Sequence, residues 1–236
     1  MKESGEYYSK NLYPFQDGIL NIVKELKLPF YLTGGTALSR YYFQHRYSDD
    51  IDLFVNSDAD FNQYIEVFYK TLLKKQEGGM FKIDNQRVRR SENFLQFFIN
   101  KKEIELKVDL INDVAPHYGN FFEDSILGKV DSLRNILSNK MSAVFRYEAK
   151  DIADIWIICK NLKCNLREIT EEARNKEVGV DPVAIFEILS SFPVNKLDLI
   201  KWTKKPDTEI FKKEILQIAN DIMYGKDNSL FLKVSK

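Results

Sequence analysis

The chain has 236 residues, 30% charged and 44% hydrophobic, and its 35 Lys and Arg balance 35 Asp and Glu. That composition excludes a disordered or collagen-like chain, and neutrality excludes a uniformly basic protein that coats nucleic acid through bulk charge. The longest stretch free of charged side chains, Leu28 to Ser39, is well short of the ~20 residues a membrane helix needs. The first residues carry no apolar core of the signal-peptide kind, so a cytoplasmic protein with no membrane partner is expected. Two cysteines, Cys159 and Cys164, and two histidines, His45 and His117, make neither a disulfide framework nor a zinc pattern. Chemistry here must rest on carboxylates, Lys, Arg, Ser or Thr.

Apolar residues Phe15, Ile19, Ile22, Val23 and Leu26 fall at helical spacing, and Pro29 stops that helix, predicted over 11–26. Phe30 to Leu32 reads as a short strand running into Gly34-Gly35-Thr36. A helix from Thr36 to about Phe43 and a strand from Ile51 to Val55 follow. Phe61, Ile65, Phe68 and Leu72 share one face of the next helix, capped by Asp58 or Asp60 and ended by Gly78-Gly79. Three alternating runs, 81–90, 94–100 and 103–112, suit a meander or mixed sheet.

Beyond Asn112 the character changes. A loop with Pro116, His117 and Gly119 leads to helices predicted over 131–147, 151–163 and 166–175. Asp181-Pro182 supplies an N-cap and a first-turn proline for a helix reaching Ser190, and a last helix from about Asp207 aligns Phe211, Ile215, Ile218 and Ile222. The expected fold class is α/β (α+β): an α/β core over 1–125, then a helical part over 126–236.

Ser48-Asp49-Asp50-Ile51-Asp52-Leu53-Phe54-Val55 is the stretch that carries chemistry. Alternate side chains of a strand share a face, so Asp50 and Asp52 point one way while Ile51, Leu53 and Val55 enter the core. Two carboxylates fixed this close repel each other and suit a hard divalent cation such as Mg²⁺. A solvated strand edge would also explain the pair taken alone. Gly34-Gly35-Thr36 between a strand and a helix can turn backbone N–H groups toward phosphate oxygens, although a structural turn or a Thr36 cap would look the same. On the strand ending Val108-Asp109-Leu110, Asp109 lies on the polar face. If that strand neighbours Asp50 and Asp52, three acids could hold two metals, with Glu105 and Asp113 as rivals to Asp109.

The segments Gly34-Gly35-Thr36-Ala37-Leu38 and Arg46-Tyr47-Ser48-Asp49-Asp50-Ile51-Asp52-Leu53 together resemble the polymerase-beta-like nucleotidyltransferase superfamily. More narrowly they are similar to the AbiEii/AbiGii toxin family, whose later motif, a lysine, an arginine and an Asp-x-x-Asp pair, is matched by Lys140, Arg146, Asp151 and Asp154. The matched segments run from about 30 to 160. Fourteen residues separate Gly35 from Asp50, slightly more than in the minimal superfamily pattern.

The resemblance implies a polymerase-beta-like core with a mixed sheet and a helical second part that completes the active site. It implies transfer of a nucleoside monophosphate from an NTP to RNA, tRNA or protein, as the toxin of a toxin–antitoxin or phage-defence pair with a cognate antitoxin. Asp50, Asp52 and Asp109 would hold Mg²⁺, in a two-metal site, with Asp109 helping to activate an acceptor hydroxyl. Gly34, Gly35, Thr36 and Ser48 would bind the nucleotide, Lys140 and Arg146 would offset triphosphate charge, and Asp151 and Asp154 would orient these groups. A small-molecule acceptor, as in antibiotic-modifying nucleotidyltransferases, and a non-catalytic interaction module are the alternatives.

Read without the resemblance, the later motif stays open. Ile136, Lys140 and Val144 are four apart, so Lys140 interrupts an apolar stripe and either meets a phosphate or Asp, or snorkels to water. Asp151 is an N-cap with Asp154 in the first turn, or both face a site. Arg146 contacts phosphate or pairs with Glu148. Charge is unevenly spread: residues 41–69 hold one Arg against six acids, and 70–107 hold ten Lys and Arg against five acids. Such runs are usually solvated faces, yet they also suit an enzyme that grips metal and a polyanionic acceptor separately.

Overall fold

The structure, a computed structural model, describes residues 2–234. It divides into two compact units: Met1–Ala115 with Phe121–Asp131, and Pro116–Asn120 with Ser132–Lys236.

The first unit begins with α1 (Lys2–Tyr7), a π-helical turn (Tyr8–Leu12) and α2 (Tyr13–Glu25). Then come β1 (Tyr31–Leu32), α3 (Gly34–Ala37) with a second π turn (Leu38–Tyr42), β2 (Ile51–Asn56) and α4 (Phe61–Glu77). The remaining strands are β3 (Lys82–Ile83), β4 (Arg89–Ser91), β5 (Phe94–Lys101), β6 (Ile104–Asp113), β7 (Phe122–Asp124) and β8 (Gly128–Val130). They form one mixed sheet in the order β3-β5-β6-β2-β1-β8-β7, with β4 also paired to β5. β2 runs parallel to β6, and β1 parallel to β8.

Strand periodicity sorts the sheet into an apolar face and a polar one. Ile51, Leu53 and Val55 of β2, Leu95, Phe97 and Ile99 of β5, and Leu106, Val108 and Leu110 of β6 are all buried. Register keeps them on one face, since Ile51 opposes Val108 and Val108 opposes Phe97. α4 covers that face with Phe61, Ile65, Phe68 and Leu72, and the Phe68 ring lies 6.3 Å from that of Phe97. Each such side chain contributes about 1.5–3 kcal/mol on burial. The other face is left to Asp52, Asp109 and their neighbours.

Local chemistry moves several predicted boundaries. The run 81–90 is not one strand: Asp84 accepts a 3.1 Å hydrogen bond from the Gln86 amide, and a 3₁₀ turn over Asn85–Arg87 separates β3 from β4. The helix expected from Thr36 starts at Gly34 instead. Residues 122–130, expected as loop, form the β7–β8 hairpin, and the pairing of Val130 with Leu32 carries the sheet unit to Asp131.

The second unit holds α5 (Leu133–Ser142), α6 (Ala149–Asn161), α7 (Leu166–Lys176), α8 (Pro182–Ser190), α9 (Thr208–Met223) and α10 (Ser229–Val234). Ser132, Asn165, Asp181 and Asp207 cap α5, α7, α8 and α9 by accepting from amides of the first turn. α5 stops at Ser142, short of the predicted Tyr147, because a 3₁₀ turn follows and Tyr147 takes a left-handed φ of 57°. Ile136, Leu137 and Met141 of α5, Ile152, Ile155 and Ile158 of α6, and Phe211, Ile215 and Ile218 of α9 build the core. Among the described residues, no helix is long and apolar enough to cross a membrane.

Candidate active site

β2 and β6 bring the acids of the sheet unit together. Parallel pairing sets Asp52 directly beside Asp109, and Asp50 precedes β2 by one residue, opposite the Lys107 end of β6. Lys107 shares the polar face of β6 with Asp109. Its Nζ donates to Asp109 Oδ2 at 3.0 Å and lies 3.3 Å from Asp50 Oδ2. Gln96, opposite Asp109 on β5, donates to Asp109 Oδ1 at 2.8 Å. Burial pulls the Lys107 amine down, but the carboxylates of Asp50, Asp109 and Asp52 outweigh it and hold the amine above its ordinary range.

The rival carboxylates are engaged elsewhere. Glu105 forms an ion pair with Arg87, and Asp113 pairs with Asn56 and accepts from the Ala115 amide at 3.0 Å.

The glycine turn packs against this face. Gly34 adopts φ +66°, and a Cβ there would stand 2.7 Å from Asp52 Oδ2. A Cβ on Gly35 would lie 2.3 Å from an Arg46 guanidinium nitrogen and 3.1 Å from Ser48 Oγ. Gly34 therefore needs glycine for its backbone conformation, and a side chain at Gly35 would have to push the Arg46 guanidinium aside. Arg46 and Ser48 are buried, and Arg46 donates to the Tyr47 carbonyl at 3.0 Å. Thr36 is not a cap. Its hydroxyl donates to the Asp50 carbonyl, which ties the turn to the acidic strand.

Two supports were not singled out from the sequence. Tyr8, buried and stacked at 4.2 Å on Tyr47, donates its hydroxyl to Asp49, next to Asp50. Burial and the Asp49 carboxylate both raise its phenol above the ordinary range. Asp131, fully buried after β8, accepts from the Thr33 hydroxyl at 2.6 Å, one residue before Gly34. Lys107 and Gln96 were not singled out either, and strand parity with Asp109 is the signal that could have found them. Nothing in the sequence marked Asp131 or Tyr8, because their partners are remote along the chain.

The second unit assembles its own cluster. Lys140 of α5 is buried, with Nζ 2.6 Å from Asp151 Oδ1 and 2.9 Å from Asp154 Oδ2 of α6. Asp151 and Asp154 have no exposure. Asp151 also accepts from Arg146 at 2.9 Å, while the Arg146 side chain is 63% exposed. Of the alternatives, Lys140 meets Asp and does not snorkel to water, and the N-cap position of α6 is Glu148 rather than Asp151. Arg146 meets Asp151, not Glu148.

A scan against protein-family models matches residues 20–230 to the nucleotidyl transferase AbiEii toxin family, a type IV toxin–antitoxin system. The chain belongs to this family. The mixed sheet and helices agree with two solved structures. JHP933 from Helicobacter pylori aligns over 95% of this chain and 94% of its own at 19% identity, with a TM-score of 0.63. A candidate nucleotidyltransferase from H. pylori aligns over 93% and 96% at 19% identity, with a TM-score of 0.58. At that identity they show a shared fold. No curated protein matches by sequence. Membership in the AbiEii family makes the chain a member of a nucleotidyltransferase toxin family, with an antitoxin as the partner that family implies.

The donor chemistry of the sheet unit suits a hard divalent cation. Asp50, Asp52 and Asp109 offer only carboxylate oxygens, and the Lys107 ammonium shows that positive charge is accommodated between two of them. Among the described residues, no three His, Cys, Asp or Glu side chains are grouped to ligate one ion in this arrangement, in which Lys107 stands between Asp50 and Asp109.

Proposed function

We propose that this AbiEii-family protein is a divalent-cation-dependent toxin that transfers a nucleoside monophosphate from an NTP to a hydroxyl of RNA or protein. The observation that carries the reading is that Asp52 of β2 stands beside Asp109 of β6, with Asp50 just ahead of β2, next to the Gly34-Gly35 turn. Asp50, Asp52 and Asp109 would hold Mg²⁺, which when bound neutralises phosphate charge and polarises the α-phosphorus. Gln96 donates to Asp109 Oδ1 and Lys107 to Oδ2, and this carboxylate, held beside Asp52, would take the acceptor's proton. The acceptor oxygen then bonds to the α-phosphorus as the bond to the bridging oxygen breaks, and pyrophosphate leaves. Gly34 and Gly35 keep the backbone open to phosphate oxygens, with Thr36 and Ser48 bracing the turn. Within the helical unit, Arg146 has the exposed guanidinium suited to a phosphate, while Lys140, Asp151 and Asp154 hold the helix pair that presents it.

The test is incubation of purified protein with labelled NTPs, Mg²⁺ and either total RNA, protein or candidate small molecules. Label on RNA or protein, lost in Asp50→Asn and Asp52→Asn, is the expected result. Label on small molecules alone would move the acceptor class to the antibiotic-type reaction. Equal label transfer and growth inhibition by both variants and wild type would overturn the catalytic reading.

A further inference from the structure

Lys107 contacts two acids of this face at once, Asp109 on its own strand and Asp50 just before β2. Asp109 lies two residues on along β6, so strand parity puts both side chains on one face. Its Nζ lies 3.0 Å from Asp109 Oδ2 and 3.3 Å from Asp50 Oδ2. A divalent cation ligated by those oxygens would need ~2.1 Å to each, which is the space the ammonium fills. Two positive charges cannot share it. The Lys107 side chain is 25% exposed against 11% for Asp109, so its flexible four-carbon stem has a way out toward solvent.

From this geometry we infer that Lys107 is a resident counter-ion. It holds Asp50 and Asp109 together when no metal is present, and it must vacate their oxygens for a divalent cation to bind. Lys107 is thus a positioning residue that sets metal affinity. This rests on the metal-dependent reading above. With the ammonium in place, the three carboxylates and one lysine carry a net charge of −2, enough to attract a dication while lowering its affinity relative to a site without the lysine.

The experiment is direct binding of Mn²⁺, followed by the loss of the free-ion electron paramagnetic resonance signal, to wild type, Lys107→Met, Lys107→Arg and Asp50→Asn. Expected is binding tighter by about tenfold or more in Lys107→Met, as removing a close like charge implies even after screening. Lys107→Arg, which keeps the charge, stays near wild type or weaker. In metal-free buffer Lys107→Met melts below wild type, and saturating Mn²⁺ raises its melting temperature by more than that of wild type. Lys107→Gln, neutral but able to donate to both carboxylates, gives the same comparison should Lys107→Met fail to fold. Binding that is lost in Asp50→Asn yet no tighter in the neutral Lys107 variants would overturn the inference and leave the metal reading standing. No Mn²⁺ binding to wild type or to any Lys107 variant would overturn the metal reading itself.

Discussion

Replacing Lys140 with Met takes one cation from a cluster sealed inside the helical unit. The carboxylates of Asp151 and Asp154 have no exposure, and Lys140 Nζ touches them at 2.6 and 2.9 Å. Asp151 keeps its 2.9 Å contact to Arg146, while Asp154 loses its contact to Lys140. Removing one partner of a buried pair costs ~3–5 kcal/mol, a large share of the ~5–15 kcal/mol that holds a domain folded. At a urea dependence of ~2 kcal/mol per molar, the midpoint falls by roughly 2 M. The chain's two tryptophans, Trp156 and Trp202, both lie in this unit, so their fluorescence reports its unfolding selectively. Trp156 sits on α6, the helix that carries both acids. The double variant Lys140→Met/Asp154→Leu removes charge from both sides and is expected to recover at least ~2 kcal/mol of the loss. A single variant within ~1 kcal/mol of wild type, or a double variant no better than the single one, would refute the account of Lys140 as a buried ion-pair partner.

Gly34→Ala forces a left-handed backbone on a residue with a Cβ and crowds Asp52. It is expected to cost about 1–2 kcal/mol in thermal unfolding and to abolish label transfer. Wild-type activity in that variant would dissociate the turn from the site. Tyr8→Phe deletes the hydrogen bond to Asp49 and is expected to destabilise the sheet unit by about 1–2 kcal/mol, read by circular dichroism melting. Tyr31 and Tyr42 are likewise held above the ordinary phenol range, chiefly by burial and then by Asp131. Folded phenols that resist ionisation favour the fold below the unfolded value of 10.0, and this contribution is lost as pH rises beyond it. Burial likewise pushes Cys164 up to about 12 from 9.0, so the alkaline loss begins near pH 9. A stability profile flat from pH 8 to 11 would contradict these environments. The same burial predicts slow alkylation of Cys159 and Cys164 at pH 8 in folded protein and fast alkylation in urea, measured by mass spectrometry.

Much of the acidic face was legible because a strand has a period of two. Ile51, Leu53 and Val55 marked the buried side of β2, and the same parity put Asp109 on the polar side of β6. Parity could not choose among Glu105, Asp109 and Asp113, which all share that side. The β2–β6 register sets Asp109 beside Asp52 and Asp113 beside Asn56, a pairing that needs the partner strand to be known. Helix ends marked by Asp181 and Asp207 were readable because a cap acts within one turn. The short strands β7 and β8 escaped notice because three residues carry no usable periodicity and owe their form to a distant partner, β1. The Lys140 cluster was visible as a charge in an apolar stripe, but its partners lie on another helix, so its internal pairing with Asp151 and Asp154 was not.

Asp52 and Asp109 are aligned by the backbone ladder of β2 and β6, not by the path that joins them. The intervening segment, α4 with β3 to β5, can therefore gain or lose residues in its turns without changing the spacing of the two carboxylates. A single residue inserted within β6 itself does the opposite. It exchanges the two faces of that strand, turns Asp109 toward the aromatic underside and brings an apolar neighbour up in its place. Indel tolerance along this chain should thus be bimodal: permissive at hairpins a few residues away, and abruptly intolerant at the strand that carries the acid.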